Sequence, residues 1–178
     1  MRLFSRPIQA AMLACTALLM ACSPPAPDSM DKLANGNVVE VQGLNTEQLT
    51  FVTRNRIVTL FATDAYNIMR DMKRYYPQEF NSHPTLSVKA VTELQNQQGE
   101  VFQNQPLFTV HWRRADLNQM DLDSRFSLDT EEILLYADRV ESHSLVGDQV
   151  LIEHCTVTGN GEKRKRFCDQ VIEGLFNK

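Results

Sequence analysis

From Ile8 to Ala21 the chain carries no charge (Ile-Gln-Ala-Ala-Met-Leu-Ala-Cys-Thr-Ala-Leu-Leu-Met-Ala), and Arg2 and Arg6 stand just before it. A basic start followed by an apolar core of this length is the pattern of a secretory signal peptide. The stretch is shorter than the roughly 20 residues that a permanent membrane helix needs. Residues 1–21 are therefore expected to be removed, and whatever folds must be built from the rest of the 178. That remainder is long enough for one domain with a real core. Hydrophobic residues make up 43%, charged residues 22%, and glycine only seven positions, an ordinary globular composition without repeats. The formal charge is −4, and losing Arg2 and Arg6 makes the chain more acidic still. No basic footprint of a nucleic-acid binder is present.

The segment Leu19-Met20-Ala21-Cys22 resembles the lipobox of bacterial lipoproteins: a large aliphatic residue, a small residue at the cleavage point, and an obligatory cysteine. Met20 is larger than the residue usual at its position. Met12-Leu13-Ala14-Cys15 is a competing match, with only about half the apolar stretch before it. The resemblance implies that Cys22 carries a thioether-linked diacylglycerol and an N-acyl chain. Each buried methylene contributes about 0.8 kcal/mol, so several chains attach the protein stably to the lipid bilayer. Ser23-Pro24-Pro25-Ala26-Pro27-Asp28 is proline-rich, which suits a semi-rigid spacer. The expected organisation is a signal peptide at 1–21, a lipidated flexible tether at 22–36 and a single periplasmic domain at 37–178. Ser23 is not the aspartate that retains such proteins in the inner membrane of enteric bacteria. The expected location is thus the outer membrane, with the domain facing the periplasm.

With Cys15 removed and Cys22 lipidated, Cys155 and Cys168 remain, and export places them where disulfides persist. Val150 to Val157 and Phe167 to Ile172 are rich in β-formers, and Gly159-Asn160-Gly161-Glu162 between them is a turn cluster. A hairpin centred between Gly161 and Glu162 sets Cys155 opposite Cys168, His154 opposite Asp169, Ile152 opposite Val171 and Leu151 opposite Ile172. Cross-strand pairs of this kind each stabilise a sheet by up to about 1 kcal/mol. A Cys155–Cys168 disulfide is predicted, and it reads as structural because no Cys-x-x-Cys redox pair is present.

Asn37 to Gly43 alternates weakly and predicts a first strand. Asn45-Thr46-Glu47-Gln48 then carries a helix-start signature. Ile57, Phe61, Ala65, Ile68, Met72 and Tyr75 recur every three or four residues, one face of an amphipathic helix that Pro77 stops. The β-branched residues from Leu49 to Leu60 leave the start of that helix open. Leu86, Val88 and Ala90 alternate with polar residues, and Leu107 to Trp112 is the clearest strand outside the hairpin. Phe126 to Leu128 and Ile133 to Val140 are further strand candidates, although Asp129-Thr130-Glu131-Glu132 suits a helical turn equally well. Gly147-Asp148 reads as the turn into Val150. The fold class expected is α+β: a long N-terminal amphipathic helix on an antiparallel β-meander ending in the disulfide-stapled hairpin. Cystatin-like and nuclear-transport-factor-like domains share that architecture, but no motif here identifies either.

No motif for catalysis, metal binding or a cofactor emerges. His83, His111, His143 and His154 fall at no metal-ligand spacing. His154 opposite Asp169 is half of a dyad with no nucleophile elbow nearby. The acids Asp116, Asp121, Asp123, Asp129, Glu131 and Glu132 lack the central glycine and closing glutamate of a calcium loop. Gly159 and Gly161 fall in the expected hairpin turn, with no helix predicted after them to cradle a phosphate. Lys163, Arg164, Lys165 and Arg166, at the expected hairpin tip, form either a solvated edge or a patch for an anionic partner. Arg113 and Arg114 follow Trp112 as a second basic pair. By exclusion, the expected role is to bind or position other proteins in an envelope, secretion or conjugation assembly. Carriage or sensing of a small hydrophobic or anionic ligand is the alternative. Convergence of His111 with an acid and a nucleophile in one cleft would revive an enzymatic reading.

Overall fold

The computed structural model describes residues 26–122, 129–157 and 162–176. Its centre is a five-stranded sheet in the order β1-β2-β3-β4-β5, with β1 at Val38–Gln42, β2 at Gln48–Arg54, β3 at Thr85–Gln95, β4 at Val101–Arg113 and β5 at Arg139–Ser142. Three neighbouring pairs are antiparallel, but β2 and β3 run parallel, Leu49 beside Leu86 and Phe51 beside Val88. The sheet is therefore mixed rather than the antiparallel meander expected.

The parallel pair follows from what lies between its strands. Helix α1, Val58–Tyr75, carries the chain back along the sheet, so β3 starts at the same end as β2. Its inner face holds Phe61, Ala65, Ile68, Met69 and Met72, all fully buried, at the spacing read from the sequence. The helix is not the N-terminal element of the fold, because two strands precede it. The helix-start signature at Asn45–Gln48 is overturned: Gln48 opens β2, and Thr46 Oγ1 donates to the carbonyls of Gly43 and Gln48 within the β1–β2 turn. Buried on both phases, Leu49 to Thr53 pack better as an inner strand than as one face of a helix. Tyr76 ends α1, and Pro77 then opens a second short helix, α2 (Pro77–Ser82), at the first helical position, where a missing N–H costs nothing.

Phe61 meets Phe108 edge-on with ring centroids 4.9 Å apart, which places α1 on the face carrying Phe51, Val88, Phe108, Val110 and Trp112. After β4, a helical turn, α3 (Arg114–Leu117), leads towards a run of 3-10 turns at Thr130–Tyr136. These turns cover the same apolar face. Trp112 Nε1 donates to Ile133 O at 2.9 Å, and the Thr63 and Thr130 hydroxyls lie 2.8 Å apart. The strand candidate at Ile133–Val140 is thus 3-10 as far as Tyr136, and only Arg139–Ser142 joins the sheet. Phe126–Leu128 lies outside the described residues.

The expected C-terminal hairpin is instead a pair of helices, α4 (Leu145–Val157) and α5 (Glu162–Phe176). Ser144 caps the first, its Oγ accepting from the N–H of Gly147 at 3.1 Å. Gly147, Leu151 and His154 are buried in one helix and Phe167 and Val171 in the other, at intervals of three and four. The β-forming residues between them, Ile152 and Ile172, face outwards instead. Cys155 and Cys168 are disulfide-bonded, with Cα atoms 5.6 Å apart. His154 packs edge-on against Phe167, ring centroids 6.0 Å apart, rather than pairing with Asp169 across a ladder.

Residues ahead of β1 also belong to the fold. Two 3-10 turns, Met30–Lys32 and Ala34–Gly36, carry Leu33 and Ala34 into the core, so the latter part of the 22–36 segment is not a free tether.

Candidate functional site

Since side chains alternate along a strand, burying Phe51, Val88 and Val110 under α1 turns Thr50, Ser87, Lys89, Thr109, His111 and Glu141 to the opposite face. The strand register sets them in two rows, Thr50–Ser87–His111–Arg139 and Val52–Lys89–Thr109–Glu141. On β1 a bulge after Val38 lets Val38 enter the core while Glu40 lies beside Val52. Arg139 and Glu40 are exposed, so the rim of this face meets solvent, while Ser87, Thr109 and His111 at its centre are buried.

The central polar groups pair with one another except at His111 Nε2, which is buried without a hydrogen bond. Ser87 Oγ and His111 Nδ1 are 2.8 Å apart. His111 Nε2 lies 3.4 Å from Glu141 Oε2, an ion-pair distance without hydrogen-bond geometry, and Glu141 Oε1 pairs with Arg139 at 3.0 Å. Thr109 Oγ1 and His143 Nε2 are 2.7 Å apart. Burial pushes the His111 pKa below its ordinary value of 6.5, against the opposing pull of the Glu141 carboxylate. The imidazole is thus neutral near pH 7. The tautomer that turns Nε2–H towards Glu141 leaves Nδ1 to accept the Ser87 hydroxyl proton.

A hydroxyl, an imidazole and a carboxylate in line are the parts of a serine-type nucleophilic relay. Ser87, however, has no solvent-accessible surface and sits mid-strand between β2 and β4. A substrate carbonyl cannot reach its Oγ, and backbone N–H groups committed to a ladder are not free to stabilise an oxyanion. The cluster braces β3, β4 and β5 on the face opposite the one that α1 covers. A test follows from the depressed pKa. Below about pH 6.5 the unfolded chain binds a proton at this histidine that the folded protein resists, so stability falls as pH drops towards the folded value and then levels off. His111→Gln is expected to be less stable than the parent at pH 7.5. That gap should narrow by pH 5 in urea denaturation, and a constant gap would remove His111 from the account.

Clefts open elsewhere, and two of them border α5. One, about 540 Å³, separates β5 from α5 and is lined by Arg139, Glu141, His143, Gln170 and Glu173, so it meets the polar cluster along its β5 edge. The other, about 500 Å³, runs between α4 and α5 over the disulfide, with Ile152, Ile172, Cys155 and Cys168 in its walls and Lys165 and Asp169 beside them. Ile152 and Ile172 are each about half exposed here, and Phe176 at the end of α5 is 83% exposed.

Of the residues singled out in the sequence, Cys22 lies outside the described residues. Lys163, Arg164, Lys165 and Arg166 fall in the first turns of α5, not on a hairpin tip, and Lys165 and Arg166 are exposed. The structure brings Lys165 together with the disulfide groove and leaves Arg113 apart, tied to Asp116 and Asp138 at 2.9 and 3.0 Å. His83 is buried with Nδ1 2.8 Å from Thr46 O, and His154 is buried against Phe167. Ser87 and Glu141 escaped sequence reasoning, although the polar phase of β3 (Ser87, Lys89) was visible beside the apolar one. Among the described residues, no group of three histidines, cysteines or acids is placed to hold a metal ion, and no helix is long and apolar enough to cross a membrane. The chain matches no family model, no curated protein and no solved structure.

Proposed function

We propose that this protein is a lipoprotein anchored through acylated Cys22, whose periplasmic domain binds another protein of the cell envelope through the α4–α5 pair. The observation that carries the reading is the groove over the Cys155–Cys168 disulfide, with half-exposed Ile152 and Ile172 beside the exposed cations Lys165 and Arg166. Apolar side chains in a polar rim are the composition of a protein-binding patch. The charge placement adds a second argument. Lys163, Arg164, Lys165 and Arg166 follow one another in the first turns of a helix, the end at which cations oppose the macrodipole. Stability does not account for that placement, whereas attraction to an acidic partner does. A disulfide at this position also suits an oxidising compartment, in keeping with export and with the outer membrane as location.

Two measurements test the halves of this reading separately. Radiolabelled palmitate should enter the wild-type protein and not Cys22→Ser, which should leave the membrane fraction; equal labelling of both sinks the anchor. For the partner, the charge-reversed variant Lys165→Glu/Arg166→Glu should lose co-purifying protein from detergent-solubilised envelopes. Its urea midpoint should stay level or rise, because acids suit a helix N-terminus. Unchanged partner recovery counts against the patch.

A further inference from the structure

The segment ahead of β1 is a strap laid along α1, and its path decides which end of the domain can meet a membrane. Tyr76 Oη, at the C-terminal end of α1, donates to Pro27 O at 2.8 Å. Burial and the nearby Asp28, Asp31 and Glu79 carboxylates push its pKa above the ordinary value, so the hydroxyl stays a donor at any physiological pH. Lys32 bridges back to Asp28 at 3.1 Å, and Leu33 and Ala34 insert into the core. Asn37 Nδ2 then donates to Asp64 Oδ1 at 2.8 Å, twelve residues back along the helix from Tyr76. At 1.5 Å per residue the strap therefore runs about 18 Å along α1 before β1 begins.

From this we infer that the end of the fold formed by Tyr76 and α2 faces a phospholipid headgroup surface, with the α4–α5 groove held at the far end. The inference rests on the anchor reading above. Five residue steps separate Cys22 from Pro27, and whatever their conformation they span at most about 18 Å. A domain joined to the bilayer there cannot swing over freely, because Pro27 is pinned at the bottom of α1. The opposite end is set by the same geometry. β2 ends, and α1 begins, at Arg54–Val58, and Arg56 to Thr59 share a hollow with Val150, Glu153 and His154 of α4. An 18-residue helix is about 27 Å long, so α4 stands roughly that far above the Tyr76 end. The β3–β4 reversal at Asn96–Glu100 also lies at this distal end. Chain length alone thus presents the disulfide groove to the periplasm and sets exposed Pro77 and Gln78 against the lipid.

The test places a nitroxide on a cysteine introduced at Gln78 (Gln78→Cys) or at Gln98 (Gln98→Cys), both exposed positions. The full-length acylated protein is reconstituted into vesicles containing a nickel-chelating lipid, and paramagnetic relaxation of each label is measured. Relaxation several-fold stronger at position 78 than at 98 is expected. Adding Tyr76→Phe and Leu33→Ala to release the strap should lower it at 78. Equal relaxation at the two positions in acylated protein overturns the orientation, and so does indifference to the strap substitutions. Mass spectrometry of the same preparation keeps the premises apart: a Cys22 without acyl chains overturns the anchor, whichever way the labels respond.

Discussion

Gly147→Ala is expected to lower stability by about 3 kcal/mol and to shift the urea midpoint accordingly. A Cβ at position 147 falls 2.0 Å from Leu107 O and 2.7 Å from Leu107 C. These are backbone atoms of β4, held in place because the same carbonyl accepts the N–H of His143 at 2.8 Å. Neither side can give way without moving the α4 start off the sheet. The sequence suggests Gly147-Asp148 as turn glycine, yet its backbone is helical, and the reason for glycine is close approach rather than conformational freedom. An alanine variant as stable as the parent would show that α4 does not sit directly on β4.

The second large effect concerns the disulfide. Replacing both cysteines, Cys155→Ser/Cys168→Ser, should cost about 3 kcal/mol, since the bond closes a loop with a separation of 13 residues. Reduction of the wild type with dithiothreitol should lower the urea midpoint by the same amount, and should leave the double serine variant unmoved. The loss ought to be local at first: amide exchange should accelerate in α5 before it does in β2, β3 and β4, because α5 reaches the core chiefly through Phe167 and Val171. Identical midpoints with and without reductant would mean that the bond constrains nothing in the unfolded chain.

The same bond shows how a pairing argument can reach the right partners through the wrong element. Residues equidistant from the centre of any chain reversal are brought opposite one another, whether strands or helices flank it. The Cys155–Cys168 pairing therefore survived, while the ladder pair His154–Asp169 did not. β-propensity misled because Val150, Ile152 and Ile172 also suit the sides of a helix whose buried face is set by Gly147, Leu151, His154, Phe167 and Val171. Ser144, three residues ahead of Gly147, was the cap signal that distinguished the two.

The sheet was legible where one face is apolar and the other polar, as along Leu86–Ala90 and Leu107–Trp112. β2 was harder, because an inner strand buried on both faces loses the alternation that would mark it, and Asn45, three positions ahead of Gln48, mimics a helix cap. The polar cluster was half legible. His111 stood in a recognisable strand, but Ser87 and Glu141 join it only through the register of three strands that are distant in sequence.

What the sequence determined by itself is local or covalent. The uncharged apolar run from Ile8 to Ala21, the helical stripe from Phe61 to Met72 and the availability of two cysteines for each other all depend on residues near in the chain or few in number. The tertiary structure alone decided that β2 and β3 run parallel, that the C-terminal segments coil, and that the chain ahead of β1 is pinned along α1. Each of those choices turns on which surface is left to bury once the other elements are in place, and short-range pattern carries no record of that.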